Sequence, residues 1–341
     1  MHVLITGGAG YIGSHTAKIL SRAGSRAIVL DNLKRGHRDA VRWGPLVEAD
    51  IADRSALKEI FEKYPIDAVI HFAAFAYVGE SMQAPELYFQ NNVVNSLSLL
   101  ESMRAAGVRK IVFSSSCATY GYPTEIPIRE EHAQQPVNPY GESKLMVERL
   151  LHWYGQIHGL AWVALRYFNA AGADPDGELG ENHDPETHLI PRTILAALGR
   201  VPCLQIFGTD YDTPDGTAIR DYLHVTDLGE AHLAALKYLD SGGASTPFNL
   251  GTGSGHSVRE VAAAVERVAG RDLPYEELPR RSGDPASLIA DASKARRVLE
   301  WIPRHSSLDE IVRTSWNWLA KSAQVPAASG ADQDTKEAGS E

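Results

Sequence analysis

The sequence predicts a doubly wound α/β fold, in which a parallel sheet carries helices on both faces. Three observations predict it: short apolar runs alternate with helical stretches, a glycine-rich turn joins the first run to the first helix, and polar residues follow the later runs. Short buried strands that alternate with helices are typical of βαβ units and therefore of a parallel sheet. The rhythm loosens in the second half of the chain, which predicts a smaller mixed α/β lobe there.

The first half of the chain contains the predicted strands and the helices between them. The apolar runs that predict strands cover residues 2–6, 27–30, 46–48, 68–72, 110–113 and 162–166. Helical spacing predicts helices at 11–22, 55–62, 86–106 and 140–158. In the first of these helices, Ile12, Thr16 and the pair Ile19-Leu20 lie on one side.

The second half begins with a segment rich in Gly, Asp, Pro and Asn over residues 170–184, which predicts a loop. Helical pieces follow at 189–198, 227–239, 257–268 and 307–319. We therefore predict a first domain over residues 1–169, to which a segment of about 220–250 returns, and a smaller lobe over residues 170–320. The polar tail of residues 321–341 lacks periodicity and is predicted to be disordered. The cleft between the lobes is the predicted ligand site.

Composition and charge narrow the classes of function. The 341 residues are 44% apolar, enough for a buried core, and no run of about 18 apolar residues predicts a membrane-spanning helix. The net charge of −10, without a block of Lys or Arg, argues against a nucleic-acid partner. Cys117 and Cys203 are the two cysteines, so a disulfide framework is not predicted and a reducing cytoplasm is the expected location.

The histidines show no metal-binding signature. His183 and His188 lie five residues apart in a segment rich in Asp and Glu, but this spacing matches neither HExxH nor another paired ligand set. We interpret that segment as a solvated loop and predict no metal site.

The glycine-rich turn predicts a site for a dinucleotide. Gly7, Gly10 and Gly13 lie between the first predicted strand and the first helix. In such a turn the first glycine allows a tight bend, the second lets a pyrophosphate approach the backbone, and the third lets the helix pack on the strand. Asp31 ends the second strand, where a carboxylate accepts hydrogen bonds from ribose hydroxyls and repels a 2′-phosphate. The sequence therefore predicts a Rossmann-type domain that prefers NAD to NADP.

A serine, a tyrosine and a lysine predict chemistry at a substrate hydroxyl. Tyr140 and Lys144 are four residues apart and therefore lie on one face of a helix. A phenol has an unperturbed pKa of about 10, too high for a base at neutral pH. A nearby ammonium, together with a positively charged nicotinamide, is expected to lower that pKa. Ser116, at the end of a predicted strand, is expected to hydrogen-bond the same substrate oxygen.

These motifs resemble those of a known family. The glycine turn and the Tyr140/Lys144 pair are similar to those of extended short-chain dehydrogenases. Three further motifs are similar to those of UDP-glucose 4-epimerases: Phe168-Asn169, Arg220-Asp221-Tyr222 and Arg281-Ser282-Gly283-Asp284. The similarity runs from residue 2 to about residue 319, and it is greatest to the bacterial branch that supplies UDP-galactose for exopolysaccharide. It implies an NAD-dependent isomerase of galactose metabolism that forms a homodimer through the helices at 86–106 and 140–158.

The resemblance also implies roles for individual residues. The residues implied to bind NAD are Gly7, Gly10, Tyr11, Ile12, Gly13, Asp31, Asn32, Asp50, Ile51, Phe72, Ala73, Ala74, Asn91, Ser114, Tyr140, Lys144, Tyr167 and Phe168. The residues implied to bind a UDP-sugar are Ser116, Tyr140, Asn169, His188, Leu189, Phe207, Arg220, Arg281, Asp284 and Leu288. Among these, Ser116 and Tyr140 contact the hexose 4-hydroxyl, two arginines and an asparagine hold the diphosphate, and Leu189 and Phe207 lie near the uracil. The catalytic residues are Ser116, Tyr140 and Lys144.

Three positions depart from the pattern of the family. Ala76 stands where a lysine that contacts the cofactor phosphates is frequent. His188 replaces a frequent asparagine near the substrate, and the resemblance does not assign its role. Leu288 replaces a tyrosine thought to limit the bulk of the sugar at C2, so N-acetylated sugars are candidate substrates.

The implied reaction is the interconversion of UDP-glucose and UDP-galactose by transient oxidation at C4 to a 4-keto sugar. A UDP-pentose or a UDP-uronate remains an alternative substrate, because related pentose 4-epimerases share the stretch Ser-Cys-Ala-Thr-Tyr-Gly that begins at Ser116. Dehydration is disfavoured, since Cys117 and Ala118 stand where an acid would be needed to expel a 6-hydroxyl. A silent NAD-binding sensor is disfavoured as well, because it has no use for Tyr140 and Lys144 at this spacing.

Overall fold

Strands and helices alternate along the protein, whose structure, a computed structural model, describes residues 1–281 and 283–322. The strands are β1 (His2–Thr6), β2 (Arg26–Asp31), β3 (Leu46–Glu48), β4 (Ala68–His71), β5 (Lys110–Ser116), β6 (Ala161–Tyr167), β7 (Asn169–Ala171), β8 (Leu204–Phe207), β9 (Ile219–Arg220), β10 (Tyr222–His224), β11 (Thr246–Leu250), β12 (His256–Ser257), β13 (Tyr275–Leu278) and β14 (Ser287–Leu288). The helices are α1 (Tyr11–Arg22), α2 (Arg54–Lys63), α3 (Val78–Gln83), α4 (Pro85–Tyr88), α5 (Asn95–Ala105), α6 (Pro139–His158), α7 (Leu189–Ala197), α8 (Val225–Asp240), α9 (Val258–Ala269), α10 (Ser293–Val298) and α11 (Leu308–Ser322).

A seven-stranded parallel sheet in the order β3-β2-β1-β4-β5-β6-β11 forms the centre of the fold. The chain moves outward from β1 to β3 on one side and from β4 on the other, so the strand order reverses between β1 and β4. Thr6 is in register with Leu30 of β2 and with His71 of β4, which brings the ends of these strands to one edge. Ligands of doubly wound sheets bind at such a reversal point. The predicted fold class is confirmed.

Two layers of helices cover the two faces of the sheet. Val3 and Ile5 of β1 pack in a cluster with Leu20 of α1 and Leu228 of α8. Leu4, which points to the other face, packs in a second cluster with residues of α2, α5 and α6. Each fully buried Leu or Ile side chain contributes about 1.5–3 kcal/mol of hydrophobic stabilisation. This two-sided burial explains why the strands appear in the sequence as continuous apolar runs.

The smaller lobe is built from short strands and from α7, α9 and α11. These helices share an apolar cluster with Leu204 and Ile206 of β8 and with Tyr222 of β10. Its small sheets are β8 with β13, β12-β9-β14, and β7 with β10. One strand that follows residue 170 does not belong to this lobe. It is β11, at residues 246–250, which pairs with β6 of the central sheet.

Several predicted boundaries differ from the structure. The single helix predicted at 86–106 is α4, a π-helical segment over Phe89–Val94, and α5. The helix predicted to end at residue 319 continues to Ser322, so the predicted tail begins too early, and residues 323–341 of that tail lie outside the described residues. Within the described part of the chain, none of the helices combines the length and the apolar character that a membrane span requires.

Candidate active site

A cavity of about 1380 Å³ opens where the carboxyl ends of the central strands face the smaller lobe. Residues after β1, β2 and β4 line one part of it, and Ser116 at the end of β5 lines the middle. Arg220, Arg281 and Leu288 line the part that belongs to the smaller lobe. Every residue that the sequence predicts to bind cofactor or substrate lines this one cavity.

The glycine turn after β1 is built for close backbone contacts. Gly7 has a φ of 71°, and a Cβ atom there would lie 2.6 Å from the backbone N of Ala73. A Cβ atom on Gly13 would lie 2.4 Å from the carbonyl oxygen of Gly7, so a side chain would push α1 away from the turn. Gly10 precedes α1 and offers no side-chain cap to its first N–H groups. The amino terminus of α1 is therefore suited to an external phosphate.

Acidic groups line the part of the cavity next to the glycine turn. Asp31 is 8% exposed, and its carboxylate accepts hydrogen bonds from the backbone N–H groups of Ala9 at 3.0 Å and Leu33 at 2.8 Å. Burial raises the pKa of Asp31, and these two hydrogen bonds oppose the rise. Asp50 accepts from Asn32 at 2.8 Å and from Lys34 at 3.2 Å, so the nearest lysine is paired with Asp50. A carboxylate at the end of β2, beside a phosphate-binding turn, fits the ribose of NAD.

The serine, the tyrosine and the lysine lie together at the end of β5 and the start of α6. Asn138 caps α6 by accepting from the N–H of Gly141 at 2.8 Å, which fixes the first turn that carries Tyr140. The Nζ atom of Lys144 donates to the carbonyl oxygen of Ser114 at 2.7 Å and lies 5.8 Å from the centre of the Tyr140 ring. The hydroxyl of Ser116 accepts from the N–H of Ala118 at 3.1 Å.

Burial shifts the pKa values of Tyr140 and Lys144 in the protein alone. In the protein alone the pKa of Tyr140 is not lowered, because burial raises it to about 12 while hydrogen bonding with Ser116 opposes the rise. Burial also lowers the pKa of Lys144 to about 7, against the attraction of Glu148. The prediction that an ammonium together with a positively charged nicotinamide lowers this pKa concerns the NAD-bound protein and stays a prediction. Burial is the largest cause of both shifts.

The part of the cavity in the smaller lobe carries two arginines. The guanidinium of Arg220 contacts the carboxylate of Asp284, and the guanidinium of Arg281 lies 3.9 Å from the centre of the Phe207 ring. Leu288 is in register with Arg220 and packs beside a cluster that contains Cys117 and Phe168. Planar guanidinium groups that reach a cavity are suited to phosphate oxygens, and an aromatic ring is suited to a base.

The segment before α7 holds two largely buried carboxylates that the sequence did not predict. The segment is a loop and most of its residues are exposed, as predicted, but the side chains of Glu181 and Glu186 are only 5% and 12% exposed. Glu181 accepts a hydrogen bond from Nδ1 of His188, and Nδ1 of His183 lies 3.0 Å from the same carboxylate. The alternating Glu and His residues at 181, 183, 186 and 188 were the available signal.

A buried ion pair behind Lys144 was also missed. Glu148 lies one helical turn after Lys144, and its carboxylate accepts from Nε of Arg166 at 2.9 and 3.2 Å. The same carboxylate accepts from the hydroxyl of Ser115, next to Ser116. Arg166 also donates to Tyr120 at 2.9 Å. The spacing of Lys144 and Glu148 on α6 was visible in the sequence, but the partner on β6 was not.

The fold and the cavity together define an enzyme of the short-chain dehydrogenase class. The chain belongs to the NAD dependent epimerase/dehydratase family, whose sequence model matches residues 3–251. It is 52% identical over 322 residues to the UDP-glucose 4-epimerase of Rhizobium leguminosarum bv. trifolii, a match that covers 94% of this chain and 98% of that protein.

Two solved structures are similar over nearly the whole chain. One is UDP-glucose 4-epimerase from Brucella ovis in complex with NAD, with 53% identity, a TM-score of 0.91, and coverage of 92% of this chain and 97% of that one. The other is UDP-glucose 4-epimerase from Stenotrophomonas maltophila with bound NAD and formylated UDP-arabinopyranose, with 41% identity, a TM-score of 0.92, and coverage of 95% and 99%. The predicted family is confirmed.

Proposed function

We propose that the protein interconverts UDP-glucose and UDP-galactose by oxidising the sugar at C4 and reducing it again from the opposite face. The observation that carries this proposal is the convergence of Ser116, Tyr140 and Lys144 with Arg220 and Arg281 in one cavity. The relatives in Rhizobium and Brucella, each more than half identical to this chain, are named UDP-glucose 4-epimerases. The enzyme is accordingly an NAD-dependent isomerase of nucleotide sugars.

The cofactor is NAD, which when bound supplies the acceptor and donor of hydride for C4 of the sugar. We assign to Tyr140 the removal of the proton from the 4-hydroxyl, and to Ser116 a hydrogen bond to the same oxygen. Lys144 supplies positive charge next to the phenol and, in its protonated form, a donor for the ribose. Because the pKa of Tyr140 in the protein alone, with Lys144 in place, is raised to about 12, base catalysis at neutral pH requires further positive charge, which the nicotinamide would supply when NAD is bound.

Because the diphosphate is anchored, one site can oxidise and reduce C4 of both epimers. We assign this role to Arg220 and Arg281, which place two guanidinium groups in a protein whose net charge is −10. The 4-keto sugar then rotates about its link to a fixed UDP, so that either face of C4 meets the hydride. Asn169 supports the diphosphate, and Phe207 and Leu189 provide apolar surface for the uracil.

A second candidate is the 4-epimerisation of a different UDP-sugar. The relative from Stenotrophomonas maltophila holds a formylated UDP-arabinopyranose, which supports a test of UDP-pentoses. Leu288 in place of a tyrosine supports a test of UDP-N-acetylglucosamine, because it packs near Cys117 and Phe168, where the sugar is expected. Turnover of UDP-galactose at least tenfold faster than of either sugar would reject this candidate.

A coupled assay tests the proposed function. The purified protein is given UDP-galactose without added NAD, and formation of UDP-glucose is followed through UDP-glucose dehydrogenase. We expect turnover in the wild type and a loss of about 100- to 10,000-fold in Tyr140→Phe, the range for one general acid–base group. The variant should keep its bound NAD and its thermal stability. Near-normal activity of Tyr140→Phe, or an inactive wild type with NAD bound, would contradict the proposal.

We also propose that the protein forms a homodimer through the helices near α5 and α6. Trp153 and Ile157 of α6 are 60% and 68% exposed, and Leu87 and Val94 are exposed on the preceding segment. Large apolar side chains that share a face are typical of a protein interface. Light scattering should return a dimer for the wild type and a monomer for Ile157→Glu. Ile302→Glu, at a residue 59% exposed outside these helices, is the control and should remain dimeric.

We also propose domain boundaries for the chain and a cellular compartment for the protein. We propose a first domain over residues 1–169 that also includes the segment around 220–250, because β11 extends the central sheet and α8 packs with α1. The remainder up to residue 320 forms the substrate lobe. We place the protein in the cytoplasm, where a reducing environment suits its two thiols, Cys117 and Cys203.

A further inference from the structure

Four side chains that are able to bind a metal ion meet in the segment before α7. They are Glu181, His183, Glu186 and His188, and one ligand atom of each lies within 4.8 Å of the others. Nδ1 of His183 is 3.0 Å from Oε1 of Glu181 and 3.9 Å from Oε2 of Glu186. Nδ1 of His188 contacts Oε1 of Glu181 and lies 3.7 Å from Oε1 of Glu186. In a tetrahedral site with metal–ligand bonds of about 2.0–2.2 Å, neighbouring ligand atoms are roughly 3.3–3.6 Å apart, so these separations suit one small cation.

Hydrogen bonding within the segment leaves one of these ligand atoms without a partner. Nδ1 of His183 is buried, and among the described residues it makes no hydrogen bond, although Oε1 of Glu181 is 3.0 Å away. A hydrogen bond needs the N–H to point at its acceptor, so the ring has the wrong direction for donation to this oxygen. Two ligands of one metal ion stand in this relation, because each directs a lone pair at the ion and not at the other ligand.

The two carboxylates carry negative charge in a place that water barely reaches. In the described parts of the chain, 1–281 and 283–322, neither Glu181 nor Glu186 forms an ion pair with a lysine or an arginine. Carboxylates removed from water are normally paired with a cation or coordinate a metal ion. Two imidazolium rings would supply the charge, but that form buries the Nδ1 proton of His183 without an acceptor among the described residues. A divalent cation with two neutral imidazoles gives a site of zero net charge.

Hydrogen bonds to the backbone fix the segment that carries the four ligands. Nε1 of Trp318 donates to the carbonyl oxygen of Glu181 at 2.9 Å. The carboxylate of Glu186 accepts from the backbone N–H groups of Thr187 at 2.7 Å and His188 at 2.8 Å. Contacts of this kind orient the ligands of a metal ion, and they strengthen its binding.

We propose that Glu181, His183, Glu186 and His188 bind one zinc ion, which holds residues 181–188 as a rigid part of the cavity wall. Imidazole ligands favour zinc over magnesium and calcium, which prefer sites made of oxygen atoms alone. The spacing of the four residues matches neither HExxH nor another paired ligand set, which is why the sequence alone does not predict the site. The inference goes beyond the proposed function and does not depend on it.

Calorimetric titration with zinc chloride tests the proposal. The NAD-containing protein is dialysed against EDTA and then against metal-free buffer before the titration. We expect one zinc ion per chain, with a Kd of about 1 μM or tighter. Magnesium chloride at the same concentrations should give no binding heat, because magnesium binds imidazole poorly. Cobalt(II) chloride in place of zinc should give the visible absorption of a tetrahedral cobalt site.

Two variants remove one ligand each. His183→Ala and Glu181→Gln should bind zinc about 100-fold more weakly than the wild type, or weaker still, because the site then has three ligands. Glu181→Gln keeps the size of the side chain, so it also serves as the test if His183→Ala does not fold. Thermal unfolding in EDTA shows whether each variant has the stability of the metal-free wild type.

A second group of carboxylates provides a matched control. Its ligand atoms also lie within 4.8 Å of one another, and they belong to Asp174, Asp176 and Glu178. The ammonium of Lys18 already lies among them, 2.6 Å from Asp174 and 3.0 Å from Asp176. Asp176→Asn should therefore bind zinc as the wild type does. Hydrogen exchange followed by mass spectrometry locates the ion: zinc should slow exchange over residues 181–188 in the wild type and in Asp176→Asn, but not in His183→Ala.

The outcomes that would overturn the inference are separate from those that concern the reaction. Equal zinc affinity in the wild type, His183→Ala and Glu181→Gln would place the ion elsewhere, for example at Cys117 or Cys203, and the inference would fail. It would also fail if the wild type bound no zinc at about 100 μM. A wild type that binds zinc at this segment but does not convert UDP-galactose would contradict the proposed function alone.

Discussion

Replacement of Glu148 by glutamine is expected to destabilise the protein by about 3–5 kcal/mol, because it leaves a buried guanidinium without its countercharge. The side chains of Arg166 and Glu148 are 5% and 6% exposed, so water is not available to replace the lost partner. The carboxylate also accepts from Ser115 and, at 3.2 Å, from Gln134. The glutamine keeps the size of the side chain, so the loss reports charge and hydrogen bonding and not a cavity.

Thermal unfolding followed by circular dichroism measures this loss. At about 2–4 °C per kcal/mol, the midpoint should fall by roughly 6–20 °C. The double variant Glu148→Leu/Arg166→Met removes both charges and is expected to recover much of the stability, since a buried ion pair is often replaceable by apolar residues. A Glu148→Gln variant within about 1 kcal/mol of the wild type would refute this reasoning, as would a double variant less stable than the single one.

The same substitution should also alter the pH dependence of activity. Burial lowers the pKa of Lys144 to about 7, and the charge of Glu148 keeps it from falling further. Without this charge the pKa falls further, and less of Lys144 is protonated at neutral pH. Relative to the wild type, Glu148→Gln should lose more activity at pH 8 than at pH 6, measured at a temperature where it is folded. A loss independent of pH would mean that Glu148 acts on the fold alone.

Three further substitutions test other parts of the cavity. Gly13→Ala places a Cβ atom 2.4 Å from the backbone of Gly7, so about 1–3 kcal/mol of stability and most of the bound NAD should be lost. The amount of NAD released on denaturation measures the loss of bound cofactor. Gly79→Ala, where a Cβ atom meets open space, is the control and should keep the stability of the wild type. Asp31→Asn removes the charge expected at the ribose and should weaken NAD binding by about 10- to 100-fold in titrations of the apoprotein. Leu288→Tyr should reduce turnover of UDP-N-acetylglucosamine more than that of UDP-galactose; an equal effect on both would show that Leu288 does not limit the sugar.

The central sheet was predictable because it depends on local patterns. The first strand, at 2–6, and the first helix, at 11–22, were predicted with the bounds that the structure has, because apolar runs and glycine signals coincide there. The helix predicted at 86–106 was placed correctly, but its irregular π-helical segment was not predicted, because helical spacing does not distinguish hydrogen-bond patterns. The two-residue strands of the smaller lobe have too few residues to show alternation.

The site was predictable to the extent that its motifs are local in sequence. The glycine turn and the Tyr140/Lys144 pair each lie within a few residues, and both line the cavity. Contacts between distant segments were not predictable, such as the contact of Glu148 on α6 with Arg166 on β6. The burial of Glu181 before α7 was not predictable, because a charged sequence normally indicates exposure to solvent.

The seventh strand of the sheet has a consequence for synthesis of the protein on the ribosome. β6 pairs with β11, and β11 leaves the ribosome about 80 residues later, a delay of roughly 4–16 s at ordinary translation rates. During that interval β6 is an unprotected edge, rich in apolar side chains from Trp162 to Leu165. Such edges template association between nascent chains. The order of strands therefore leaves β6 open to such association until β11 has been synthesised.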